Sequence, residues 1–510
     1  MKVLVILGHP RQDSYCGALA SAYINGAEEA GVEVKSLVLA DLHFEINVVV
    51  PSPQHQHQEE DLTHAQNLIK WADHLVFIYP TWWGNVPAIL KAFLDRVITP
   101  GFAFREIQPD AFEKRLKNKT AQIITTMDTP VFIDKLLNGA SSINALSNAT
   151  LKFCGVQPVR IMRLSPIKHS TAHKKEQWLN QVYLAGRKLE YGVLSPWEKE
   201  KRKLMPWIQA LRLQFYPMTF FAYGIGAFVF ANQTGSFNWL IFILGYLLLF
   251  LLEAIVVFSN DYYDQESDSQ NKHFSPFSGG SRVLIEGIIT EQSLKRAIRT
   301  LVIVCTALTI LVAAISAAPF EHILLLVGIL TLIAISYTVP PLKFSYRGWG
   351  EIVVGFTHSF AVILCGFMFQ GGNISSALPW LLSIPLFLAI IPAIILGGFP
   401  DKDADKQAGK GTLVVRLGKK SAAYLAAICV GFSALSFVIL KHSSHLNQAY
   451  PLNETYSNIM YLAIIHALGL IYLLFKYARL PVKPQRIDGI LVTALSYILW
   501  YALVPFITLS

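Results

Sequence analysis

A succession of apolar segments beyond about residue 206 constrains this chain more than any other feature. An α-helix of about 20 apolar residues crosses the roughly 30 Å hydrocarbon core of a bilayer. Nine such segments are predicted, near residues 206–231, 236–259, 297–316, 320–338, 350–370, 377–399, 421–440, 458–476 and 487–508. Because a backbone in lipid must satisfy its own hydrogen bonds, these segments predict an all-α integral membrane bundle.

The first 190 residues have a different pattern, although the chain of 510 residues is 53% hydrophobic and only 15% charged overall. Short apolar strands alternate with helix-like stretches, and strands are predicted at residues 2–7, 33–39, 74–78, 120–125 and 159–164. This alternation predicts an α/β doubly wound parallel sheet with ligand loops at the carboxyl ends of its strands. The expected division is a soluble domain at 1–190, a basic linker at 191–205 and a membrane domain at 206–510.

The first domain is expected to stay in the cytosol. Its opening apolar run is short and rich in β-branched residues, and Gly-His-Pro follows where a signal peptide needs a small-residue cleavage site. The five cysteines are widely scattered, with no spacing typical of a disulfide framework or a metal site. This usage suits a reducing compartment.

Two loops of the first domain have the residues to bind a flavin nucleotide. The loop GHPRQDSYCGALA follows the first strand, and its polar side chains precede a helix whose free amides could hold a phosphate. The loop YPTWWGNVP follows the third strand, and its two tryptophans could form a flat wall for an isoalloxazine ring. The alternative for Trp82 and Trp83 is packing in the core of the domain.

This domain resembles the flavodoxin-like NAD(P)H:quinone oxidoreductases, most closely over residues 79–91 and 151–159. The resemblance implies bound FAD or FMN, hydride transfer from NADH or NADPH to a quinone, and a homodimer formed through the flavin domain. A third loop has Met127-Asp128 where many of these proteins have two glycines. The cofactor-binding residues implied are His9, Ser14, Tyr15, Cys16, Pro80, Thr81, Trp82, Trp83, Gly84 and Thr126.

Two acidic clusters occur where predicted membrane helices end. The first provides Asn260, Asp261, Asp264 and Asp268, three of them spaced by one helical turn, and the second provides Asp401 and Asp405. Converging carboxylates repel one another unless a cation is bound, and hard oxygen ligands suit Mg²⁺ shared with phosphate oxygens. Either cluster alone could be a solvated loop or a calcium site. Cations that could hold a diphosphate are Arg212, Arg282, Lys343, Arg347 and Lys410.

The membrane domain resembles the UbiA superfamily of intramembrane prenyltransferases. The resemblance implies transfer of a prenyl group from a polyprenyl diphosphate to an aromatic or quinone acceptor in a lipid-facing cavity. The stretches SYTVPPLK and AGKGTLVVRLG are most similar to enzymes of menaquinone biosynthesis that prenylate 1,4-dihydroxy-2-naphthoate. The catalytic residues implied are Asp264, Asp268, Asp401, Asp405 and Lys343. The fused flavin domain would then act on the quinone acceptor or the prenylated product.

The distribution of basic residues predicts the orientation in the membrane. Four alternate loops are rich in Lys and Arg, and by the positive-inside rule they lie in the cytosol with the Asp-rich clusters and the flavin domain. Their basic residues are Lys272, Arg282, Lys295, Arg296, Lys343, Arg347, Lys402, Lys406, Lys410, Arg416, Lys419, Lys420, Lys476, Arg479, Lys483 and Arg486. The expected location is a bacterial-type inner membrane, spanned many times.

The positive charge of the chain and the resemblance of its first domain each allow an alternative interpretation. The net charge of +9 gathers near the membrane surface without a nucleic-acid motif, so lipid headgroups are the expected anionic partner and nucleic acid is not. A flavin-regulated transporter or channel is the alternative function, because potassium-efflux ancillary subunits resemble the first domain.

Four polar residues lie inside predicted spans and are functional candidates, because such side chains are costly in lipid. They are Arg212, Glu253, His358 and His466. For the two histidines, hydrogen bonds between helices are the favoured interpretation.

Overall fold

A computed structural model describes residues 1–108, 111–191, 194–271, 279–442, 461–479 and 488–510. Its contacts divide the chain into two compact units, Met1–Lys201 and Arg202–Ser510. The basic residues Lys272, Lys483 and Arg486, used above to predict orientation, lie outside the described residues.

The first unit is built on a five-stranded sheet in the order β2-β1-β3-β6-β7. Every neighbouring pair in it is parallel, which confirms the predicted α/β fold, and this order is that of flavodoxin-like sheets. Apolar side chains on both faces of the sheet form two buried clusters, as expected for a sheet covered by helices. Its strands are β1 (Lys2–Leu7), β2 (Glu33–Val38), β3 (His74–Pro80), β6 (Thr120–Thr126) and β7 (Val159–Leu164).

The remaining strands of the first unit form an antiparallel hairpin that the sequence did not predict, β4 (Phe104–Gln108) with β5 (Ala111–Lys114). The helices are α1 (Tyr15–Glu29), α2 (Glu60–Trp71), α3 (Ala88–Val97), α4 (Val131–Leu137), α5 (Ser141–Asn144), a π-helical stretch at Ala145–Lys152, and α6 (Ala172–Arg187). Helix α7 (Pro196–Leu211) includes much of the predicted linker, so this part of the linker is helical.

The second unit is all-helical. Within the part of the chain that the structure describes, eight helices are long and apolar enough to cross a membrane, and a ninth apolar helix, Phe320–Ile335, has only 16 residues. Nine apolar segments were predicted, so one of them is shorter than the span criterion requires. The helices are α8 (Tyr216–Thr234), α9 (Trp239–Tyr263), α10 (Gln265–Gln270), α11 (Glu291–Ile315), α12 (Phe320–Ile335), α13 (Gly350–Phe356), α14 (Val362–Phe369), α15 (Ala377–Gln407), α16 (Leu413–His442), α17 (Leu462–Arg479) and α18 (Asp488–Leu509).

Small residues allow some of these helices to approach closely. A β-carbon on Gly226 of α8 would collide with the carbonyl oxygen of Ile363, and one on Gly366 of α14 would collide with that of Tyr223. Glycine at both positions therefore lets the two backbones touch, a common device between membrane helices. The bundle brings the polar ends of α9 and α15 to one cavity, and the candidate site lies there.

Candidate active site

The first acidic cluster continues from the end of α9. The chain leaves regular helix at Asp264 and α10 follows, but the helical spacing is kept because Asp264 N donates to Asn260 O at 2.8 Å and Asp268 N donates to Asp264 O at 2.8 Å. Asp261 is buried and accepts a hydrogen bond from the backbone of Ser281 at 3.0 Å and another from its hydroxyl. Asn260 Oδ1 accepts one from Thr338 Oγ1 at 2.7 Å.

The second acidic cluster forms the last turns of α15 and meets the first directly. Asn271 Nδ2 donates to Asp401 Oδ1 at 2.5 Å, and Ser267 Oγ donates to Asp405 Oδ1 at 3.0 Å. Asp403, between these two acids, is exposed. The two clusters therefore form one buried acidic site, unlike the solvated loops that either cluster alone could have been.

Lys410 supplies a positive charge inside this acidic site. Its Nζ lies 2.9 Å from Asp264 Oδ2 and 3.5 Å from Asp405 Oδ1, so one ammonium group contacts both clusters. Burial by itself lowers the pKa of Lys410, but the carboxylates around it outweigh burial and raise that pKa above its ordinary value. The lysine is therefore charged and acts as a counterion for the acids.

The acids nevertheless outnumber the cations in the site. Burial raises the pKa of Asp268 to about 8; Lys410 opposes this shift, and the neighbouring aspartates add to it. A cavity of about 350 Å³ opens beside these groups. Charged residues around its polar end include Arg212, Asp261, Asp264, Asp268, Glu351, Asp401, Asp405 and Lys410.

This donor set fits a divalent cation that shares its ligands with a substrate. Among the residues that the structure describes, no three His, Cys, Asp or Glu side chains converge as a complete metal site. Five aspartates around one cavity still provide excess negative charge and hard oxygen ligands. Mg²⁺ commonly takes one or two carboxylates, with water and phosphate oxygens completing its shell. The predicted ligands thus have the oxygen chemistry that such an ion takes in proteins.

The predicted diphosphate-binding cations are only partly brought together. Arg212 and Lys410 line the cavity, and Arg212 Nε is buried without a hydrogen-bond partner among the described residues. Arg282 lies next to the site and donates to the backbone oxygen of Asp268 at 3.0 Å. Lys343 Nζ lies 4.5 Å above the ring of Tyr346, and among the described residues it forms no ion pair with a carboxylate.

Arg347 is also turned away from the cavity. Its guanidinium donates to the carbonyl oxygen of Pro341 at 2.9 Å in an exposed position. Arg212, Arg282 and Lys343 share a left-handed backbone, with φ of 53°, 63° and 44°. This conformation is uncommon for residues with a β-carbon and often occurs at functional sites.

Several site residues were not found from the sequence. Tyr346 donates to Asp264 Oδ1 at 3.1 Å, and Ser267 and Asn271 join the two clusters. Ser267 and Asn271 each follow an aspartate of the first cluster by three residues, which is a usable signal on a helix. Tyr346 lies about 80 residues further along the chain, so helical spacing gives no signal that it contacts Asp264.

The inner part of the same cavity is apolar. The side chains that line it come from six helices, α9, α12, α13, α14, α15 and α18. Gly397 and Gly398 of α15 form part of the wall, between the apolar part and Asp401. The apolar residues are Leu249, Leu252, Val256, Val257, Leu330, Ala334, Val353, Val354, Val362, Ile390, Ile394, Leu491, Leu495 and Ile498.

In the first unit, the loop after β1 leads into the N-terminus of α1. Ser14 Oγ accepts from Gly17 N at 3.1 Å and caps the helix. Burial lowers the pKa of His9, helped by the positive charge of Arg11, so its imidazole is neutral near pH 7. Tyr15 donates its hydroxyl to the backbone oxygen of Lys175 at 2.8 Å. The loop therefore offers backbone amides rather than imidazole charge to a phosphate.

Cys16 is buried, with its Sγ 3.4 Å from Thr126 Oγ1. Burial raises the pKa of the Cys16 thiol to about 11, so it stays protonated. Cys16 of α1 and Thr126 at the end of β6 are therefore both buried. Their contact joins α1 to the end of β6 instead of presenting a reactive thiol.

The loop after β3 presents its aromatic residues to solvent. Trp82 is half-exposed and Trp83 is fully exposed, so the alternative that they pack in the core is wrong. The backbone is left-handed at Trp83 and Gly84, with φ of 52° and 70°. Thr81 Oγ1 lies 2.8 Å from Thr125 Oγ1, and Thr81 N donates to Thr126 O at 2.7 Å, so buried Pro80 and this loop are fixed to the neighbouring strand.

These features define a membrane prenyltransferase joined to a flavodoxin-like oxidoreductase domain. Residues 219–488 match the model of the UbiA prenyltransferase family, and residues 1–183 match a family with a flavodoxin-like fold. The chain belongs to the UbiA prenyltransferase family and carries a flavodoxin-like NAD(P)H oxidoreductase domain before it. With its apolar helices, it is an integral membrane protein.

Each half is also similar to curated proteins. The second half is 30% identical over 239 residues to 1,4-dihydroxy-2-naphthoate octaprenyltransferase of Escherichia coli, covering 46% of this chain and 76% of that protein. The first half is 31% identical over 166 residues to an uncharacterized NAD(P)H oxidoreductase of Haemophilus influenzae, covering 31% of this chain and 81% of that protein. It is 29% identical over 178 residues to human ribosyldihydronicotinamide dehydrogenase [quinone], covering 30% and 77%.

Proposed function

We propose that this chain is a bifunctional enzyme of menaquinone-like quinone biosynthesis. Its membrane domain transfers a prenyl group from a polyprenyl diphosphate to an aromatic acceptor such as 1,4-dihydroxy-2-naphthoate. Its flavin domain uses NADH or NADPH to reduce the quinone form of the acceptor or product. The observation that carries the transferase proposal is the joined acidic site, with Lys410 in contact with both clusters, at the mouth of an apolar cavity.

The geometry suggests a role for each part of the cavity. The diphosphate lies at the polar end, where the Lys410 ammonium and the Arg212 guanidinium attract its oxygens. The prenyl chain occupies the apolar part, where its burial favours binding. Mg²⁺ bound by the carboxylates would neutralise charge on the diphosphate as the carbon–oxygen bond breaks. The bonds from Ser267, Asn271 and Ser281 hold the carboxylates in place beforehand, which lowers the reorganisation needed in the reaction.

The flavin domain supports a link between reduction and prenylation. A hydroquinone ring is rich in electrons and attacks an allylic cation, whereas a quinone ring does not. FAD or FMN bound against Trp82 and Trp83 would carry electrons from the nicotinamide to the quinone. Fusion of the two activities in one chain keeps a reductase available wherever the transferase is. We further propose that both the flavin domain and the acidic site face the cytosol, as the basic loops predict, and that the flavin domain dimerises.

A matched pair of aspartates tests the transferase assignment. Asp401 is a site residue and Asp403, two residues away in the same motif, is exposed. Purified chain in lipid nanodiscs is incubated with Mg²⁺, labelled farnesyl diphosphate and 1,4-dihydroxy-2-naphthoate, and products are identified by mass. Asp401→Asn should remove prenyl transfer and Asp403→Asn should retain it. EDTA should also stop transfer, and transfer that continues in Asp401→Asn would contradict the assignment.

A second arm tests the reductase and its coupling. The acceptor is supplied as 1,4-naphthoquinone with NADH or NADPH, and prenylated product is compared before and after removal of the flavin. We expect product only with the nicotinamide and the flavin, whereas 1,4-naphthohydroquinone under nitrogen should need neither. If the oxidised acceptor is never used, the coupling is refuted while the transferase proposal stands.

A further inference from the structure

Helix α15 forms one wall of the cavity with a single face. Its lining residues are Ile390, Ala393, Ile394, Gly397, Gly398, Asp401 and Asp405. They recur every three or four residues, which is the spacing of one helical face. Successive residues of a helix are separated by about 100° around its axis, so Gly397 lies near the middle of this face, within roughly 40° of Asp401. The face thus has aspartates at the polar end and apolar side chains at the other end, with glycines between them.

The two glycines of this face differ in their surroundings. A β-carbon built on Gly398 would lie 3.3 Å from Val414 Cγ2, so this position faces α16. A β-carbon built on Gly397 would have no atom of another helix within 4 Å in the part of the chain that the structure describes. Because Gly397 lies near the middle of the face that lines the cavity, this open space is the cavity itself. The backbone at Gly397 is therefore a surface of the cavity without a side chain.

Close helix packing does not explain the glycine at this position. Gly226 and Gly366 are needed because a β-carbon at either would collide with a carbonyl oxygen of the facing helix. Gly397 has no such neighbour among the described residues, yet glycine inside a helix is less stable than alanine. Close approach of a ligand to the backbone is another common reason for glycine. The cavity beside Gly397 indicates that a ligand is the reason here.

The depth of Gly397 in the cavity indicates which part of a ligand it meets. Four residues separate it from Asp401, so it lies about 6 Å further from the acidic end along the helix axis. In prenyl transfer the reacting carbon is joined to the diphosphate, so the acceptor ring that reacts lies near the polar end. Gly397 is then beside whatever extends from that ring into the apolar part. Further along the same face, the wall carries the larger side chains of Ile394 and Ile390.

We infer that Gly397 is a specificity-determining residue, whose backbone admits the second ring of a fused two-ring acceptor. This inference rests on the proposed prenyl transfer, because that reaction places the first ring beside the diphosphate. A flat apolar ring packs closely against a surface without side chains, and its burial stabilises the complex. A side chain at this position would occupy the same space and exclude the second ring. A single-ring acceptor does not extend to Gly397 and is unaffected.

Steady-state kinetics of full-length chain in nanodiscs test this selection by size. Gly397→Ala and Gly397→Val add a methyl and an isopropyl group at the proposed contact. The acceptors are 1,4-naphthohydroquinone and benzene-1,4-diol under nitrogen, with Mg²⁺ and farnesyl diphosphate. For the two-ring acceptor, KM should rise about threefold in Gly397→Ala and at least about tenfold in Gly397→Val. For benzene-1,4-diol and farnesyl diphosphate, KM should stay within about twofold.

A matched glycine controls for the effect of the substitution on a helix. Gly431 of α16 also has open space around its β-carbon position, and it is not one of the residues that line the cavity. Gly431→Val should leave every KM unchanged. A general effect of valine on the bundle would appear in both variants, whereas exclusion of the second ring appears only in Gly397→Val.

Labelling of an introduced thiol locates the ring without relying on turnover. Gly397→Cys places a thiol at the proposed contact, Gly431→Cys is the control, and wild type gives the background from the five native cysteines. Reaction with N-ethylmaleimide is followed by mass. At ten times its dissociation constant, 1,4-naphthohydroquinone should slow labelling of Gly397→Cys about tenfold, and benzene-1,4-diol by less than about twofold. Labelling of Gly431→Cys should respond to neither, and quinone bound to the flavin domain contacts neither thiol.

The outcomes separate this inference from the proposed function. An equal rise in KM for both acceptors, an unchanged KM in Gly397→Val, or labelling of Gly397→Cys that 1,4-naphthohydroquinone does not slow overturns the ring site, while prenyl transfer by wild type still supports the function. A rise in KM for farnesyl diphosphate alone assigns the space to the prenyl chain and also overturns the ring site. If wild type forms no prenylated product, the transferase proposal fails, and selective protection of Gly397→Cys still supports the ring site.

Discussion

Replacement of Lys410 by methionine tests how far one ammonium group balances the acidic site. The side chain is 8% exposed, and its Nζ lies 2.9 Å from Asp264 Oδ2 and 3.5 Å from Asp405 Oδ1. Methionine keeps most of the apolar stem but removes the charge. The carboxylates of Asp264 and Asp405 then remain buried beside three other aspartates, and Arg212 is the arginine that lines the same cavity.

The expected cost follows from the loss of one partner of a buried ion pair. Such a loss destabilises a protein by about 3–5 kcal/mol, because the remaining charge is left uncompensated. For a unit of this size the midpoint of thermal unfolding should fall by roughly 6–15 °C in EDTA. Mg²⁺ at 5 mM should restore at least half of this difference, since a divalent ion replaces the missing charge among the carboxylates.

The assay follows the helical circular dichroism of full-length chain in detergent on heating, with EDTA or with Mg²⁺. Lys420→Met is the matched control, because Lys420 is exposed and lies only ten residues further along. It should change neither the midpoint nor its response to Mg²⁺. If Lys410→Met unfolds within about 2 °C of wild type in EDTA, or gains no more from Mg²⁺ than wild type does, the charge-balance reasoning is refuted.

Three further predictions concern other positions. Gly280→Ala should reduce prenyl transfer roughly 10²-fold, because its β-carbon would collide with Asp268 Oδ2, whereas Gly287→Ala, also left-handed but in open space, should retain most activity in the same product assay. Exchange of Trp82 and Trp83 for alanine should lower flavin affinity roughly tenfold, measured by flavin fluorescence, and Trp197→Ala, an exposed tryptophan elsewhere, should not. Burial and the charge of Arg160 lower the pKa of His74 from 6.5 to about 4, so the unfolded state takes up a proton between these values and stability should fall by about 3 kcal/mol as pH decreases through that window. The urea midpoint for flavin release should show this loss in wild type and in His55→Asn but not in His74→Asn.

The sheet of the first unit could be predicted because its strands have simple patterns. β1 and β3 are continuous apolar runs that end in polar loops, and each was found within two residues of its observed bounds. The hairpin of β4 and β5 was missed. Its strands mix charged and apolar residues without a clean alternation, so they lack the pattern that marks a buried strand.

The acidic residues of the site were predictable, but the positions of the cations were not. Asp264 and Asp401 are visible because carboxylates at helix ends in an apolar bundle are conspicuous. Lys343 and Arg347 have the right charge and loop, yet local turns point them at Tyr346 and Pro341. Glu253 and His358 were noticed as polar residues in lipid, but only the bundle brings them together at 3.8 Å. Backbone turns and distant pairing depend on tertiary packing, which no short pattern records.

The left-handed backbone at Arg212, Arg282 and Lys343 has an evolutionary consequence. A residue with a β-carbon in this conformation is less stable than glycine by about 1–2 kcal/mol. Selection for heat resistance and selection for catalysis therefore oppose each other at these three positions. A library sorted only for survival on heating should accumulate glycine there, and one sorted for prenylated product should keep Arg212. Consensus designs that favour stability would erode this part of the enzyme first.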